Sequence, residues 1–354
     1  MLVFDAHLDL SMNALEYNRD LRLPVAAIRA GEAGLTDLRG REKGAVAFPE
    51  MRRGEVGICV ATIIAGCMKP SLPVVSWNSP EQAWAMTRAQ LAWYQAMEEE
   101  GHLKRLTERQ DIITHRHDWE NDPENTPVGI VISLEGADSL RTLDDLEKTV
   151  ENDGLIAVGP AHFAAGRYAP GHNMSGRLTE AGRELIRKMD ELGLILDVTH
   201  LSEEAFWQCL DLFNGTIWAS HHNCRALVDH PRQLSDGQIK ALAERNAVIG
   251  LSFDVWMTVP GWNREKSCRA DFGADLSTLA QHIDHIAQLL GTSKHCGIGS
   301  DLDGGFGHDQ CPSDLDTIAD VQKLGPILQE KGYRQDEVEG IFHGNFLNLL
   351  SKNW

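Results

Sequence analysis

Eight short runs of apolar and β-branched residues recur along the chain: LVFDAHLD (2–9), VGICVATIIA (56–65), VGIVISLEG (128–136), LIAVGPAHF (155–163), LILDVTH (194–200), TIWASHH (216–222), AVIGLSF (247–253) and CGIGSD (296–301). Several are continuously apolar, the pattern of strands buried on both faces of a parallel sheet. Helical stretches lie between most of them. SPEQAWAMTRAQLAWYQAMEEE (79–100) follows the second run. TEAGRELIRKMDELG (179–193) offers Thr179 as an N-cap and Gly193 as a stop, and SEEAFWQCLDLF (202–213) opens on Ser202 and two acids. SDGQIKALAERN (235–246) and LSTLAQHIDHIAQLLG (276–291) continue the alternation. Strand–helix alternation of this kind predicts an α/β fold of the (β/α)8 TIM-barrel type. A doubly wound open sheet is the alternative, disfavoured because no GxGxxG follows the first run. About 250 residues suffice for a barrel, so the surplus is assigned to an N-terminal insertion, residues 10–55, and to loops and helices after 302. No repeat, low-complexity tract or linker divides the chain, so one barrel domain spanning 1–354 is expected.

The formal net charge of −19 disfavours nucleic acid and anionic membrane surfaces as partners. No run of about 18 apolar residues predicts a membrane span. The seven cysteines, at 59, 67, 209, 224, 268, 296 and 311, form no CxxC and mostly sit in apolar runs, which suggests buried thiols in a reducing compartment. MLVFDAHLDL lacks the marks of a signal peptide, and FLNLLSKNW those of a lipid-anchor tail. A cytoplasmic location is expected.

The polar residues that end the runs carry the functional signal. His7 and Asp9 end the first, Glu135 the third, His162 the fourth, His200 the fifth, His221 and His222 the sixth and Asp301 the eighth. In a barrel all C-terminal strand ends meet around one mouth, where barrel enzymes place their chemistry. A lone histidine there is ordinarily just hydrogen-bonded; metal-type residues from six strands at one mouth point to a metal site. Imidazole with carboxylate suits zinc and related divalent ions. His7, Asp9, Glu135, His200 and His221 exceed the needs of one open site, and a glutamate can bridge two ions about 3.5–4 Å apart. Four positive charges would be met by Asp9, Glu135, Asp301 and a bridging hydroxide, the nucleophile.

With those motifs in place, the chain resembles the membrane (renal) dipeptidase family of dinuclear zinc amidohydrolases. The resemblance rests on DAHLDL, MRRGEVG, SLEGADSL, LTEAGRELIRKMDELGLILDVTHLS, WASHH with a downstream arginine, GIGSDLDGG and HGNFLNLL, in that order along the whole chain. It implies a barrel that hydrolyses dipeptides, often with a D-residue at the C-terminal position. It further implies two zinc ions, one on His7 and Asp9 and one on His200 and His221, bridged by Glu135. Asp301 would hold the nucleophilic water and shuttle its proton, His162 would steady the oxyanion, and Arg232 would grip the substrate carboxylate. A homodimer and a bacterial cytoplasmic branch are also implied. The chain departs from the family pattern at His222, where many members have serine, and in HFAAGRYAPGHN after the fourth run. His221 is chosen over His222 on motif spacing alone.

Other candidates have structural expectations. His282 and His285 follow a helical period and belong to the outer ring. Asp303 is expected to shape the DLDG turn, and Asp5 and Asp197, which closely precede His7 and His200, to share their face and support them as ligands. His172, His230 and His308 fall in loops, the first two expected to meet solvent, and Trp256 is a candidate pocket wall. Two rival functions share the site: hydrolysis of another small amide or lactone, such as an N-acyl amino acid or β-lactam, and non-catalytic ligand binding.

Overall fold

The computed structural model describes residues 1–67, 75–264 and 266–353. Nine strands form in chain order: β1 (Val3–Leu8), β2 (Val56–Ile64), β3 (Leu103–Arg105), β4 (Val128–Glu135), β5 (Leu155–Gly159), β6 (Ile195–Asp197), β7 (Ile217–Ala219), β8 (Val248–Leu251) and β9 (Cys296–Ile298). Every pairing is parallel. β2 joins both β1 and β4, and β1 joins β9, so eight strands close into a barrel. All eight predicted runs contain a barrel strand. The unforeseen β3 (LKR) pairs only with Val128–Ile130 of β4, before β5 joins at Ile132. Three residues, two of them charged, leave no apolar run to read.

Helices pack around the ring where caps and spacing place them. Ser79, Thr179, Ser202 and Ser235 each accept a backbone N–H three residues on, opening helices Pro80–Glu99, Glu180–Glu191, Glu203–Leu212 and Asp236–Glu244. Helices Arg109–Asn121 and Leu143–Asp153 were not anticipated. No helix among the described residues is long and apolar enough to cross a membrane.

The end of the barrel opposite the mouth is closed by helix Asn345–Asn353. Phe346 stacks on Phe4 at 5.2 Å between ring centroids and meets the edge of Trp218 at 6.1 Å. Gly297 makes room for it, since a Cβ there would lie 2.4 Å from the Phe346 ring. His343 Nδ1 lies 3.0 Å from the Leu2 carbonyl, joining this cap to the entry of β1.

His282 is fully buried on the inner face of helix Leu276–Leu290. Its Nδ1 accepts the Cys224 N–H at 3.0 Å and its Nε2–H donates to the Thr258 carbonyl at 3.2 Å, so the ring serves as a neutral bracket. Burial lowers its pKa to about 4. Because the folded value lies below the unfolded one, the contribution to stability is whole above pH 6.5 and is lost as pH falls towards 4. At pH 5 the loss is about 2 kcal/mol. Denaturant unfolding of the wild type and His282→Gln at pH 8 and pH 5 should show the wild type losing that much more.

Candidate metal centre and substrate cleft

Strands β5 to β9 end sooner than their apolar runs, so most site residues sit one to three positions past a strand. His200 and Asp301 there adopt left-handed backbone, with φ of 68° and 58°. Non-glycine residues are uncommon in that conformation, which local hydrogen bonds can hold in place. Asp5 and Asp197 impose part of it. Asp5 Oδ1 accepts the N–H groups of His7 and Ser300, and Asp197 Oδ1 those of Thr199 and Ser220. The two carboxylates therefore fix the backbone beside the strand-end residues and do not touch the rings they were expected to support.

The predicted residues converge. Glu135 ends β4 and presents its two oxygens to different neighbours. Oε2 lies 3.6 Å from His7 Nε2; Oε1 lies 2.9 Å from His200 Nε2 and 3.5 Å from His221 Nε2. On the Oε2 side, His7 Nε2 is 3.6 Å from Asp9 Oδ2 and 3.9 Å from Asp301 Oδ1. Three groups have ligand atoms close enough to share an ion: His7–Glu135–His221, Glu135–His162–His200 and His7–Asp9–Asp301. His162 thus lies beside the Glu135–His200 side of the cluster.

The ring orientations fit a cation. His7 Nδ1 faces Thr62 Oγ1 at 3.4 Å, His221 Nδ1 faces Ser220 Oγ at 2.9 Å, and His200 Nδ1 faces His172 Nδ1 at 3.1 Å. Each Nδ1 meets a partner outside the cluster while each Nε2 turns to the centre, the orientation a metal-ligating imidazole needs. There the Nε2 atoms of His200 and His221 stand 3.0 Å apart. A contact that short needs either a proton on one of the two nitrogens or a cation shared by both. His7 Nε2 and Asp9 Oδ1 are buried with no hydrogen-bond partner, as groups awaiting a ligand would be.

Charge tells the same story. Burial opposes a charge on His7, but Glu135, Asp9 and Asp301 outweigh it and raise its pKa to about 10. Burial, followed by the repulsion of neighbouring acids, raises Glu135 to about 8 and lifts Asp301 well above the usual carboxylate range. Burial pushes His200 and His221 well below the usual histidine range. Crowded carboxylates short of positive charge, beside imidazoles kept neutral, are a cation's ligand set.

Arg232 is buried, donating from Nη2 to the His221 carbonyl at 2.7 Å and from Nη1 to His222 Nδ1 at 3.1 Å. Both acceptors are neutral, which leaves the guanidinium without an ion-pair partner among the described residues. Burial lowers its pKa to about 10, still cationic at neutral pH. His221 and His222, adjacent in sequence, have separate tasks: the first faces the cluster and the second holds the arginine.

Asp9, Glu135, His162, His200, His221, Arg232 and Asp301 line a cleft of about 730 Å³, with Met12, Tyr17, Ile64, Phe163, Trp256 and Trp262 on its apolar wall. Arg39 and Arg264 also line it, and Arg264 lies over Trp256 at 5.3 Å and pairs with the buried Asp254. Of the apolar wall and these two arginines only Trp256 was foreseen; nothing in the spacing of the others marks them. His172, expected in solvent, is buried against His200, a correction visible only once the loop after β5 is folded. His230 is half-buried and its Nδ1 accepts the Arg232 N–H. Asp303 does more than shape its own turn: it accepts the N–H groups of Ala45 and Val46, anchoring the insertion before β2.

A parallel (β/α)8 barrel with such a cluster at its mouth defines the class of metal-dependent barrel hydrolases. The model of the membrane dipeptidase family, peptidase family M19, matches residues 1–353, and the chain belongs to that family. It is a metal-dependent hydrolase of peptide bonds. A protein of Klebsiella pneumoniae encoded in a pqqA 5′ region is 28% identical over 67% of this chain and 86% of its own length. An uncharacterized dipeptidase of Schizosaccharomyces pombe is 24% identical over 84% of this chain and 71% of its own. Among solved structures, a Rhodobacter sphaeroides metallopeptidase superposes with a TM-score of 0.80 at 22% identity, covering 100% of this chain and 99% of that one, which shows the shared fold.

Proposed function

We propose that Glu135 bridges two divalent cations, one held with His7 and Asp9 and the other with His200 and His221, and that the chain hydrolyses small dipeptides at this centre. The observation that carries this reading is the division of Glu135, with one oxygen towards His7 and the other towards His200 and His221. Zinc suits three imidazoles and two carboxylates. Bound by these residues, such ions would polarise the scissile carbonyl as Lewis acids and would lower the pKa of water.

The chain's own residues do the rest. Arg232, an unpaired cation on the cleft wall, binds the carboxylate of the dipeptide through its planar fork. His162, kept neutral by burial at a pKa of about 3, donates an N–H to the oxygen that becomes negative in the tetrahedral transition state. Asp301 takes the proton of the attacking water and delivers it to the leaving amine. Its raised pKa matches a group that must hold a proton between those two events. A D-residue at the C-terminal position fits the family resemblance, and the Rhodobacter relative was crystallised with a phosphinate mimic of L-Ala-D-Ala.

Elemental analysis of protein purified without chelators, paired with an L,L- and L,D-dipeptide panel, tests the reading. About two divalent ions per chain and hydrolysis abolished by chelation are expected. Two ions with turnover only of other amides or lactones would transfer the site to the alternative substrates. No metal, even after zinc addition, would leave a ligand-binding barrel.

Arg232→Ala should raise KM for dipeptides by about 30- to 1000-fold, the equivalent of roughly 2–4 kcal/mol for a lost buried charge contact. Metal content should stay at the wild-type value. Steady-state kinetics beside elemental analysis checks both, and loss of metal would remove Arg232 from the substrate-binding role.

A further inference from the structure

His7 and His221 have their outer nitrogens held by hydroxyls, Thr62 Oγ1 and Ser220 Oγ. His200 differs. Its Nδ1 meets another imidazole nitrogen, His172 Nδ1, at 3.1 Å, with ring centroids 5.0 Å apart. A short contact between two such nitrogens needs one proton, on one side or the other. If His172 Nδ1 carried it, His200 would be protonated on Nε2 and could offer the centre no lone pair. If His200 Nδ1 carries it, His172 must be protonated on Nε2 and His200 Nε2 is free.

The backbone holds His172 where this choice is enforced. Gly171 and Leu201, the neighbours of the two histidines, form an antiparallel bridge. The Ser202 N–H donates to the Pro170 carbonyl at 3.0 Å, and the Gly171 N–H to the Ala164 carbonyl at 2.7 Å. Gly171 must be glycine for this approach, because a Cβ would lie 1.7 Å from the His162 carbonyl oxygen. The same loop contributes Phe163 and Asn173 to the cleft lining.

We propose that His172 is the positioning residue of His200, accepting its Nδ1–H and so committing His200 Nε2 to metal. The proposal rests on the reading of His200 as a ligand. It also makes the substrate-lining loop after β5 part of the support of the metal centre: what displaces the loop loosens the metal.

The test is zinc affinity of the chelator-stripped protein, measured by competition with a chromophoric chelator, for the wild type, His172→Leu, His172→Asn and His200→Ala. Asparagine places an acceptor oxygen near the position of Nδ1; leucine places none. Removing such an outer partner typically costs about 10- to 100-fold in metal affinity, so His172→Leu should weaken one of the two zinc equivalents by that factor. His172→Asn should recover most of it. Far-UV circular dichroism of the metal-free proteins verifies folding, and His172→Ala replaces the leucine variant if that one does not fold. Affinity within threefold of wild type in the leucine or alanine variant overturns the proposal, as does equal weakening in the asparagine variant, which would mean packing alone. If His200→Ala leaves both equivalents intact, the ligand reading itself fails; if it weakens one while His172→Leu does not, only the role of His172 falls.

Discussion

Asp301→Asn should lower kcat for dipeptide hydrolysis by about 10²- to 10⁴-fold, the usual contribution of a positioned proton-transfer group. The amide keeps the size and polarity of the carboxyl but cannot take up and return a proton. KM should change little, because the proposed contact of Arg232 with the substrate carboxylate is left in place. Metal content decides how the loss is read. Asp301 Oδ1 lies 3.9 Å from His7 Nε2, against 3.6 Å for Asp9 Oδ2, and the three side chains form one ligand-competent group. Retention of two ions with slow turnover would support proton shuttling; loss of one ion would make Asp301 a ligand first.

Glu135→Gln is expected to act in opposite directions on the metal-free and metal-loaded protein. Burial and neighbouring acids raise the Glu135 carboxyl to about 8. A carboxyl whose folded pKa exceeds its unfolded one gives up stability as pH rises from the unfolded value through the folded one. Without metal at pH 8, the uncharged amide should therefore unfold at a higher temperature than wild type. With metal the order should reverse. One side of the amide is an NH2 group with no lone pair to give, so affinity should fall by about 100-fold or more, taking a quarter of the roughly 10–16 kcal/mol typical of a four-ligand zinc site. Thermal melts of both proteins, with chelator and with zinc, would show the curves crossing. No crossing would mean that Glu135 is not shared between ions.

The barrel was legible because burial on both faces writes a strand as an unbroken apolar run, and because serine and threonine caps mark helix starts. The candidate site residues were legible for a related reason: a charged or imidazole group at the end of such a run has few structural excuses. His172 was hidden because its partner lies 28 residues away, across a loop whose path depends on the glycine at 171 and the Gly171–Leu201 bridge. Asp303 looked local, yet its carboxylate reaches residues more than 250 positions earlier. The tasks of His221 and His222 could not be separated by strand alternation, since β7 stops at Ala219 and neither residue is in it. Trp262, Arg39 and Arg264 sit in irregular segments, where no periodicity tells which way a side chain points.

Ring closure through the β1–β9 pairing, Asp5 opposite Ile298, has a consequence for how the protein is made. At a ribosomal rate of about 5–20 residues per second, β1 waits roughly 15–60 s for its neighbour to be synthesised. Phe346, which shields Phe4 from below, arrives later still. Throughout that interval the edge of β1 that will face β9 has no native partner, and unpaired strand edges of this kind are where nascent chains aggregate. The yield of this protein in a cell should therefore depend on growth temperature and chaperone supply more than its finished, closed ring would suggest.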